Sequence, residues 1–175
     1  MAQTEIRFSG AGGQGLQLSA KILATALTKE GKSVAQSQSY EPTSRGGLSR
    51  SDLVVGEGEV DYPLATELDY LLVLDDAAAN ASEGMINKDS WVLVDSRRVT
   101  TKQKEGKIKS LAFTDTALSL GNGRVANIVA LGTLMGLSGL CTAETMEDTI
   151  RTMVPPKFQE LNLEAFAKGL ELAEE

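Results

Sequence analysis

The stretch TEIRFSGAGGQGLQLSAKILATAL, Thr4–Leu27, decides the fold because it places a glycine-rich turn between two regular patterns. Polar and apolar residues alternate up to Phe8, which is typical of a strand, and apolar residues recur at helical spacing from Leu16 onward. Gly31 then supplies a helix stop signal. The stretch therefore predicts a strand–turn–helix unit at the start of the chain.

The glycine-rich turn is typical of an anion site. Gly10, Gly12 and Gly15 have the spacing G-x-G-x-x-G. Without a Cβ in the way, backbone N–H groups at a helix start can approach a phosphate or carboxylate closely. A dinucleotide site also needs an acid about 20 residues on, whereas "AQSQS" holds no carboxylate before Glu41. A phosphate-binding P-loop needs a Lys that the turn lacks, and a purely structural turn stays open as the alternative.

The rest of the chain alternates strand-like and helix-like segments without an internal repeat. Strands are predicted at "KSVAQ", "DLVV", "EV", "DYLLVLD", "SWVLVD" and "KIKSLAF", a short helical stretch at "DAAANASEGM", and helices at Arg124–Leu137, Thr142–Met153 and Asn162–Leu172. This order predicts an α/β fold, a three-layer α/β/α arrangement with a mostly parallel sheet and a Rossmann-like glycine loop. No linker divides the chain, so residues 1–175 are expected to form a single domain.

Composition excludes several functions. The 17 Lys and Arg residues against 24 Asp and Glu give a net charge of −7, which argues against nucleic acid as a partner. The chain has no His, so catalytic triads that use histidine and metal sites that depend on histidine are excluded. Its one Cys, Cys141, cannot supply the four thiolates that an iron–sulfur cluster usually takes. With no signal pattern or membrane-length apolar run, the chain is expected to be cytoplasmic and off the membrane.

A second loop, "SYEPTSRGG", Ser39–Gly47, follows the second predicted strand. It should lie beside the glycine loop, since the carboxyl ends of parallel strands share one edge of the sheet. Arg45 can bind a carboxylate or phosphate through two nitrogens, and the pair Gly46 and Gly47 can adopt positive φ angles. The alternative is a solvated turn with an exposed Arg.

Four motifs in this order give the chain a family resemblance: "GAGGQG", "SYEPTSRGGLSRSDLVV", "EVDYP" and "NIVALGTLMG". Together they resemble the gamma subunit of 2-oxoacid:ferredoxin oxidoreductases, and "AQSQSY" and "VDYP" look closest to the 2-oxoglutarate branch of that family. Pyruvate, branched-chain and indolepyruvate enzymes carry related domains. The resemblance covers most of the chain.

The resemblance implies a noncatalytic subunit of an enzyme that converts a 2-oxoacid and coenzyme A to acyl-CoA, CO2 and reduced ferredoxin. It implies that alpha and beta partners hold thiamine diphosphate, and that beta and a ferredoxin-like delta partner hold the iron–sulfur clusters, through which ferredoxin is reduced. This chain would assist assembly and the coenzyme A side of the site. The residues carried over to cofactor binding are Gly10, Gly12, Gly13, Gln14, Gly15, Ser39, Tyr40, Arg45, Gly46 and Gly47.

Other interpretations remain open at this point. A free-standing nucleotide-binding oxidoreductase or a regulatory nucleotide-binding module would also use a glycine loop. The basic run Arg97–Lys109 is either a solvated loop or a docking surface for an acidic subunit or coenzyme A phosphates. Asp75 and Asp76 either act as a base or metal ligand or form a helix N-cap with a first-turn acid. Asn127 either reaches a ligand or closes the turn that precedes its helix.

Overall fold

The computed structural model describes residues 3–40, 47–60 and 65–175. Within them one sheet has six strands: β1 Thr4–Ala11, β2 Ser33–Tyr40, β3 Leu48–Gly56, β4 Tyr70–Val73, β5 Trp91–Asp95 and β6 Lys107–Leu111. The same residues form five α-helices: α1 Leu16–Lys29, α2 Phe113–Ser119, α3 Ala126–Ser138, α4 Ala143–Met153 and α5 Gln159–Leu172. None of the helices in these ranges is both long and apolar enough to cross a membrane.

The strands lie in the order β2-β3-β1-β4-β5-β6. β1, β4, β5 and β6 pair in parallel, while β3 is antiparallel to both β1 and β2. Five strands therefore run in one direction, which confirms the mostly parallel sheet. β3 reverses because the chain returns from β2 within residues 41–47, whereas a parallel crossover needs a dozen or more. The strand predicted at "EV" is wrong, since Glu59 and Val60 lie outside any strand.

All five α-helices contribute to one apolar cluster on one face of the sheet. In β1 the side chains of Ile6 and Phe8 point into this cluster and are fully buried. α3 is buried on every side from Asn127 to Met135, which explains why its sequence is apolar without a polar stripe. Helix α2, which the sequence patterns missed, packs Phe113 into the same cluster.

The opposite face of the sheet has a thinner cover. A second cluster joins the strand residues Leu71, Val73, Val92 and Val94 to residues from turns between the strands. The short helix expected at "DAAANASEGM" is only the 3₁₀ helix Asp76–Ala78, followed by turns. The α/β class is confirmed, and the described part of its third layer is built from turns and 3₁₀ structure.

Helices α3 and α5 pack with their backbones almost in contact. The Cα of Gly132 would lie only 2.8 Å from a Cβ added at Gly169, and the hydroxyl of Thr133 donates to the Gly169 carbonyl at 2.8 Å. Two glycines facing each other permit this approach because neither carries a side chain. The apolar, glycine-containing segment "NIVALGTLMG" is therefore a packing motif of the core.

An ion pair is buried beneath the turns that cover the face of the sheet opposite the helices. Arg7 on β1 and Asp52 on β3 are register partners, and both side chains are almost inaccessible to solvent. The guanidinium donates through Nε and Nη2 to the two carboxylate oxygens, each at 2.8 Å. Its Nη1 donates to Ser82 Oγ at 3.0 Å and contacts Met85 Sδ at 3.2 Å. The pair thus ties two strands to the turns above them.

A cleft at the carboxyl ends of β1 and β4

The glycine loop lies at the edge of the sheet where the chain changes direction. After β1 the chain passes through α1 to β2, which lies on one side of β1 within the sheet, whereas β4 lies on the other side of β1. In open α/β sheets ligands bind in the crevice at such a switch point. A cleft of about 530 Å³ opens here, lined by the glycine loop, by Leu74 and Asp75 after β4, by Arg98 after β5 and by the residues that start α3.

The backbone of the loop turns sharply between β1 and α1. Gly13 and Gly15 have φ angles of 92° and 74°, in the left-handed region that favours glycine. The N–H of Gly12 donates to the Gly47 carbonyl at 2.9 Å, and the Gly15 carbonyl accepts from Ser19 N at 3.1 Å at the start of α1. A Cβ added at Gly13 would meet no atom of the described residues within 4 Å, so among these residues this position faces open space.

Gln14 holds the loop to the neighbouring strand. Its Oε1 accepts from the Ala11 N–H at 2.8 Å, and its Nε2 donates to the Leu74 carbonyl at 3.0 Å. A Cβ added at Gly10 would collide with Gln14 Oε1, so Gly10 provides the space in which this side chain lies. The amide of Gln14 is therefore bonded to backbone and positions the loop, and its expected part in cofactor binding stays a prediction.

Asn127 connects α3 to the same loop. Its Nδ2 donates to the Gly15 carbonyl at 3.0 Å, and the side chain is buried. A Cβ at Gly15 would lie 2.6 Å from that nitrogen, which is a second reason for glycine there. Of the two interpretations left open for Asn127, the structure shows a hydrogen bond that holds a turn, although the turn is the glycine loop rather than the one that precedes α3.

Two arginines that the sequence patterns did not assign to the site line the cleft. Arg98 follows β5, and Arg124 lies in the 3₁₀ turn Gly123–Val125 that leads into α3. The side chain of Asn122 caps this turn by accepting from Arg124 N at 3.0 Å. Both arginines are exposed, and within the described ranges neither guanidinium is in an ion pair. Arg98 belongs to the basic run. It lies far from α3 in sequence, so the sequence gave no sign that Arg98 and Arg124 would line the same cleft.

Of the second loop, the structure describes only Ser39, Tyr40 and Gly47. Ser39 and Tyr40 belong to the end of β2 rather than to a loop, and β3 lies between them and β1. Gly47 lies beside the glycine loop, as its bond to Gly12 shows. Arg45 and Gly46 lie outside the described residues, so their part in the site stays a prediction.

The strand order also bears on nucleotide binding. In a dinucleotide-binding sheet the second strand lies next to the first and carries the acid that holds the ribose. Here the neighbour of β1 on that side is the antiparallel β3, and the end of β2 is displaced by one strand. The missing acid and the displaced strand both argue against the free-standing dinucleotide enzyme.

The acids after β4 are structural. Asp75 Oδ1 accepts from Ala77 N at 3.0 Å and caps the 3₁₀ helix. The Asp76 carboxylate accepts from the hydroxyl and N–H of Thr100 and from Thr101 N, and these bonds, led by the Thr100 hydroxyl, lower the pKa of Asp76. A helix cap with a first-turn acid is thus confirmed. Among residues 3–40, 47–60 and 65–175, no group of three or more acidic or Cys side chains is placed to hold a metal ion.

The one cysteine lies far from the cleft, in a polar junction between α1 and α4. Burial is the main cause that raises the pKa of the Cys141 thiol to about 12, and Glu30 adds to it. Hydrogen bonds from Thr145 and then Thr142 lower the pKa of Glu30 to about 2. A buried, protonated thiol of this kind is a packing residue rather than a nucleophile.

Fold and cleft together define the class: an α/β domain with a glycine-rich turn at the switch point of a mostly parallel sheet. Residues 5–172 match the family model described as pyruvate ferredoxin/flavodoxin oxidoreductase. The chain belongs to this family. It is a subunit of a 2-oxoacid:ferredoxin oxidoreductase, as the resemblance implied, and the other subunits of such multi-subunit complexes are its partners.

Curated relatives agree over nearly the whole chain. The 2-oxoglutarate synthase subunit KorC of Archaeoglobus fulgidus is 36% identical, over 97% of this chain and 88% of that protein. The KorC subunit of Methanocaldococcus jannaschii is 38% identical, over 98% of this chain and 94% of that protein.

Solved structures agree as well. The gamma subunit of a keto/oxoacid ferredoxin oxidoreductase from Geobacter sulfurreducens has a TM-score of 0.89 and 40% identity, covering 99% of this chain and 98% of that chain. A 2-oxoglutarate:ferredoxin oxidoreductase from Magnetococcus marinus, solved with 2-oxoglutarate, coenzyme A and succinyl-CoA, also has a TM-score of 0.89. At 22% identity, with 31% of that chain covered, this second likeness shows the fold alone.

Proposed function

We propose that this chain is the gamma subunit of a 2-oxoglutarate:ferredoxin oxidoreductase and that its cleft binds the phosphates of coenzyme A. The observation that carries the proposal is the position of Arg98 and Arg124 on the walls of the cleft that the glycine loop forms. Two guanidinium groups without an ion-pair partner among the described residues favour an anionic ligand over an apolar one.

The backbone of the cleft supports the same ligand. The glycine loop that lines the cleft leads into the start of α1, whose first N–H groups and helix dipole favour negative charge. Gly13 leaves space for a ligand to come close to the backbone. Gln14 and Asn127 hold this backbone in place through the bonds to Leu74 and Gly15.

The substrate is inferred from the relatives. The KorC proteins, named as subunits of 2-oxoglutarate synthase, share more than a third of their residues with this chain. Coenzyme A and succinyl-CoA are bound in the Magnetococcus marinus enzyme. In this proposal alpha and beta subunits hold thiamine diphosphate, and the beta and delta subunits hold the clusters. The single Cys and the absence of His in this chain suit that division of labour.

The test compares two adjacent arginines in the assembled enzyme. In Arg98→Gln we expect the apparent KM for coenzyme A to rise about tenfold or more, the loss expected when a charged hydrogen bond to a phosphate is removed. Arg97→Gln is the matched control, because Arg97 is paired with Asp115 at 2.7 Å and does not line the cleft. The KM for 2-oxoglutarate should stay unchanged in both variants. Equal KM values for coenzyme A in the two variants would contradict the proposal.

A second measurement tests the choice of 2-oxoacid substrate independently of coenzyme A binding in the cleft. The enzyme should oxidise 2-oxoglutarate in preference to pyruvate and branched-chain 2-oxoacids, and Arg98→Gln should not alter that preference.

Arg45→Ala tests the second loop in the coenzyme A assay. An unchanged KM for coenzyme A together with unchanged assembly would remove Arg45 from the site.

A further inference from the structure

The last strand of the sheet is basic in an acidic chain. Lys102 and Lys104 in the loop before β6, and Lys107 and Lys109 within it, stand against Glu105 alone, whereas the net charge of the chain is −7. β6 is an edge strand, with β5 on one side and no strand of the described residues on the other. We call these four lysines together with the open side of β6 the basic edge.

The free backbone groups of the basic edge follow from its pairing. Lys107 N donates to the Ser90 carbonyl at 2.7 Å, and the Leu111 carbonyl accepts from Ser96 N at 2.9 Å. In a parallel ladder alternate residues turn their peptide groups toward the same neighbour. Ile108 and Ser110 therefore direct their N–H and C=O groups away from β5, where another strand could accept and donate hydrogen bonds.

Side chains beside these groups offer both apolar and cationic contacts. Ile108 is 42% exposed and shares the register of Val92, so it lies on the face opposite the helices. On that face Lys102 and Lys104 line a cavity of about 200 Å³. Lys107 is exposed, with Nζ 5.2 Å from the centre of the Trp91 ring at the start of β5.

Charge decides which kind of strand fits. A second copy of β6 would bring lysines against lysines, which is unfavourable between neighbouring strands and is a common protection of sheet edges. An acidic strand would instead be attracted. We propose that the basic edge binds an extended acidic segment of another subunit of the complex, which pairs with Ile108 and Ser110 and places carboxylates against Lys102, Lys104 and Lys107.

The first test uses the complex purified through this chain. A carbodiimide joins Lys amines to carboxylates in direct contact, and mass spectrometry identifies the products. We expect links from Lys102, Lys104 or Lys107 to one contiguous acidic segment of another subunit, with slower hydrogen exchange at Ile108 and Ser110 than in the free chain. Links only within this chain or to its second copy, or exchange equal to that of the free chain, would overturn the proposal.

Two sets of variants test the charge and the edge separately. Replacing Lys102, Lys104 and Lys107 by Gln should weaken association with the remaining subunits about tenfold at low salt. The control replaces Lys21, Lys157 and Lys168, exposed lysines on helical surfaces, and leaves the same net charge. Equal weakening in the two triple variants would overturn the role of the basic edge, because net charge alone would then explain the effect.

Ile108→Pro removes an N–H that points away from β5, a position where an edge strand tolerates proline. It should abolish the slowed exchange at Ser110 in the complex, whereas Ile108→Ala, which keeps the N–H, should retain it. Retention of that protection in Ile108→Pro, or its loss in both variants, would refute strand pairing. Coenzyme A kinetics of the assembled enzyme should be unaffected by the lysine variants. A result that contradicts the basic-edge proposal can therefore be distinguished from one that contradicts coenzyme A binding in the cleft.

Discussion

Removing one partner of the buried ion pair should cost a large part of the stability of this chain. In Asp52→Ala the Arg7 guanidinium loses two charge-assisted bonds of 2.8 Å and, among the described residues, keeps only its contacts to Ser82 and Met85. The side chains of the pair are 3% and 5% exposed, so water does not replace the lost carboxylate without opening the turns above. The charge is then left buried without a counterion among the described residues.

The expected loss is about 3–5 kcal/mol, the range measured when one member of a buried pair is removed. For a chain of this size each kcal/mol lowers the melting temperature by about 2–4 °C, so the total is roughly 6–20 °C. Since domains are typically stable by about 5–15 kcal/mol, the variant should fold but with a much smaller margin.

A second Arg–Asp pair in the same chain provides the control. Arg97 and Asp115 lie at 2.7 Å, as close as the buried pair, but their side chains are 58% and 52% exposed. Asp115→Ala should therefore cost no more than about 1 kcal/mol. Urea unfolding followed by circular dichroism measures both variants on one scale.

Two results would refute the reasoning. One is a loss below about 1 kcal/mol in Asp52→Ala, which would mean that the guanidinium is rehydrated at little cost. The other is a double variant, Arg7→Met with Asp52→Leu, that is as unstable as Asp52→Ala. Replacing both charges by apolar groups of similar size should recover most of the stability, because no charge remains to be desolvated.

Two further predictions concern packing and pH. Gly169→Ala places a Cβ against the backbone of α3, so calorimetry should show a loss of at least about 1–3 kcal/mol, while the exposed Lys168→Ala in the same helix should change little. Because hydrogen bonds from Thr145 and Thr142 lower the pKa of Glu30 from 4.5 to about 2, its contribution to stability is fully present above pH 4.5 and is lost as the pH falls toward 2. In Glu30→Gln that part of the acid dependence of unfolding should be missing, and an acid limb identical to that of the unchanged chain would contradict the assignment.

Local patterns predicted the elements that depend on local chemistry. The run from β1 through the glycine loop to α1 was foreseen, and so were the buried strands β4 and β5. The helix predicted at Thr142–Met153 is α4, and its first predicted residue, Thr142, caps it by accepting from Thr145 N at 3.2 Å. In each case a periodic apolar pattern or a capping residue lies within a few positions of the feature that it predicts.

Features that depend on distant segments were missed. The antiparallel insertion of β3 between β1 and β2 follows from tertiary pairing, because strand patterns do not specify neighbours. α2 is a short helix whose N-terminal half is held from outside, since the Asp95 carboxylate accepts from the N–H and hydroxyl of Thr114. Its seven residues are too few to show a helical period.

The same distinction applies to the cleft. The glycine loop was recognisable because its spacing is local, whereas Arg98 and Arg124 meet only after β5 and α3 are placed against β1 and β4. A signal for Arg98 existed in its position just after a buried strand, at the edge where ligands bind. For Arg124 the capping Asn122 marked a helix start, but nothing marked the cleft in front of it.

The glycines of the loop also show why spacing alone does not identify ligand-binding positions. Gly10 makes room for the side chain of Gln14, and Gly15 combines a left-handed backbone with close contact to Asn127, so these two glycines have structural causes inside the protein. At Gly13 the left-handed backbone has no atom of the described residues within 4 Å of an added Cβ, and the position lines the cleft. Gly13 lies outside the G-x-G-x-x-G spacing that Gly10 and Gly15 match, yet of these three glycines it is the one without a close contact among the described residues. The proposal of an anion site therefore rests on Gly13 and on the arginines that line the cleft, rather than on the number of glycines in the turn.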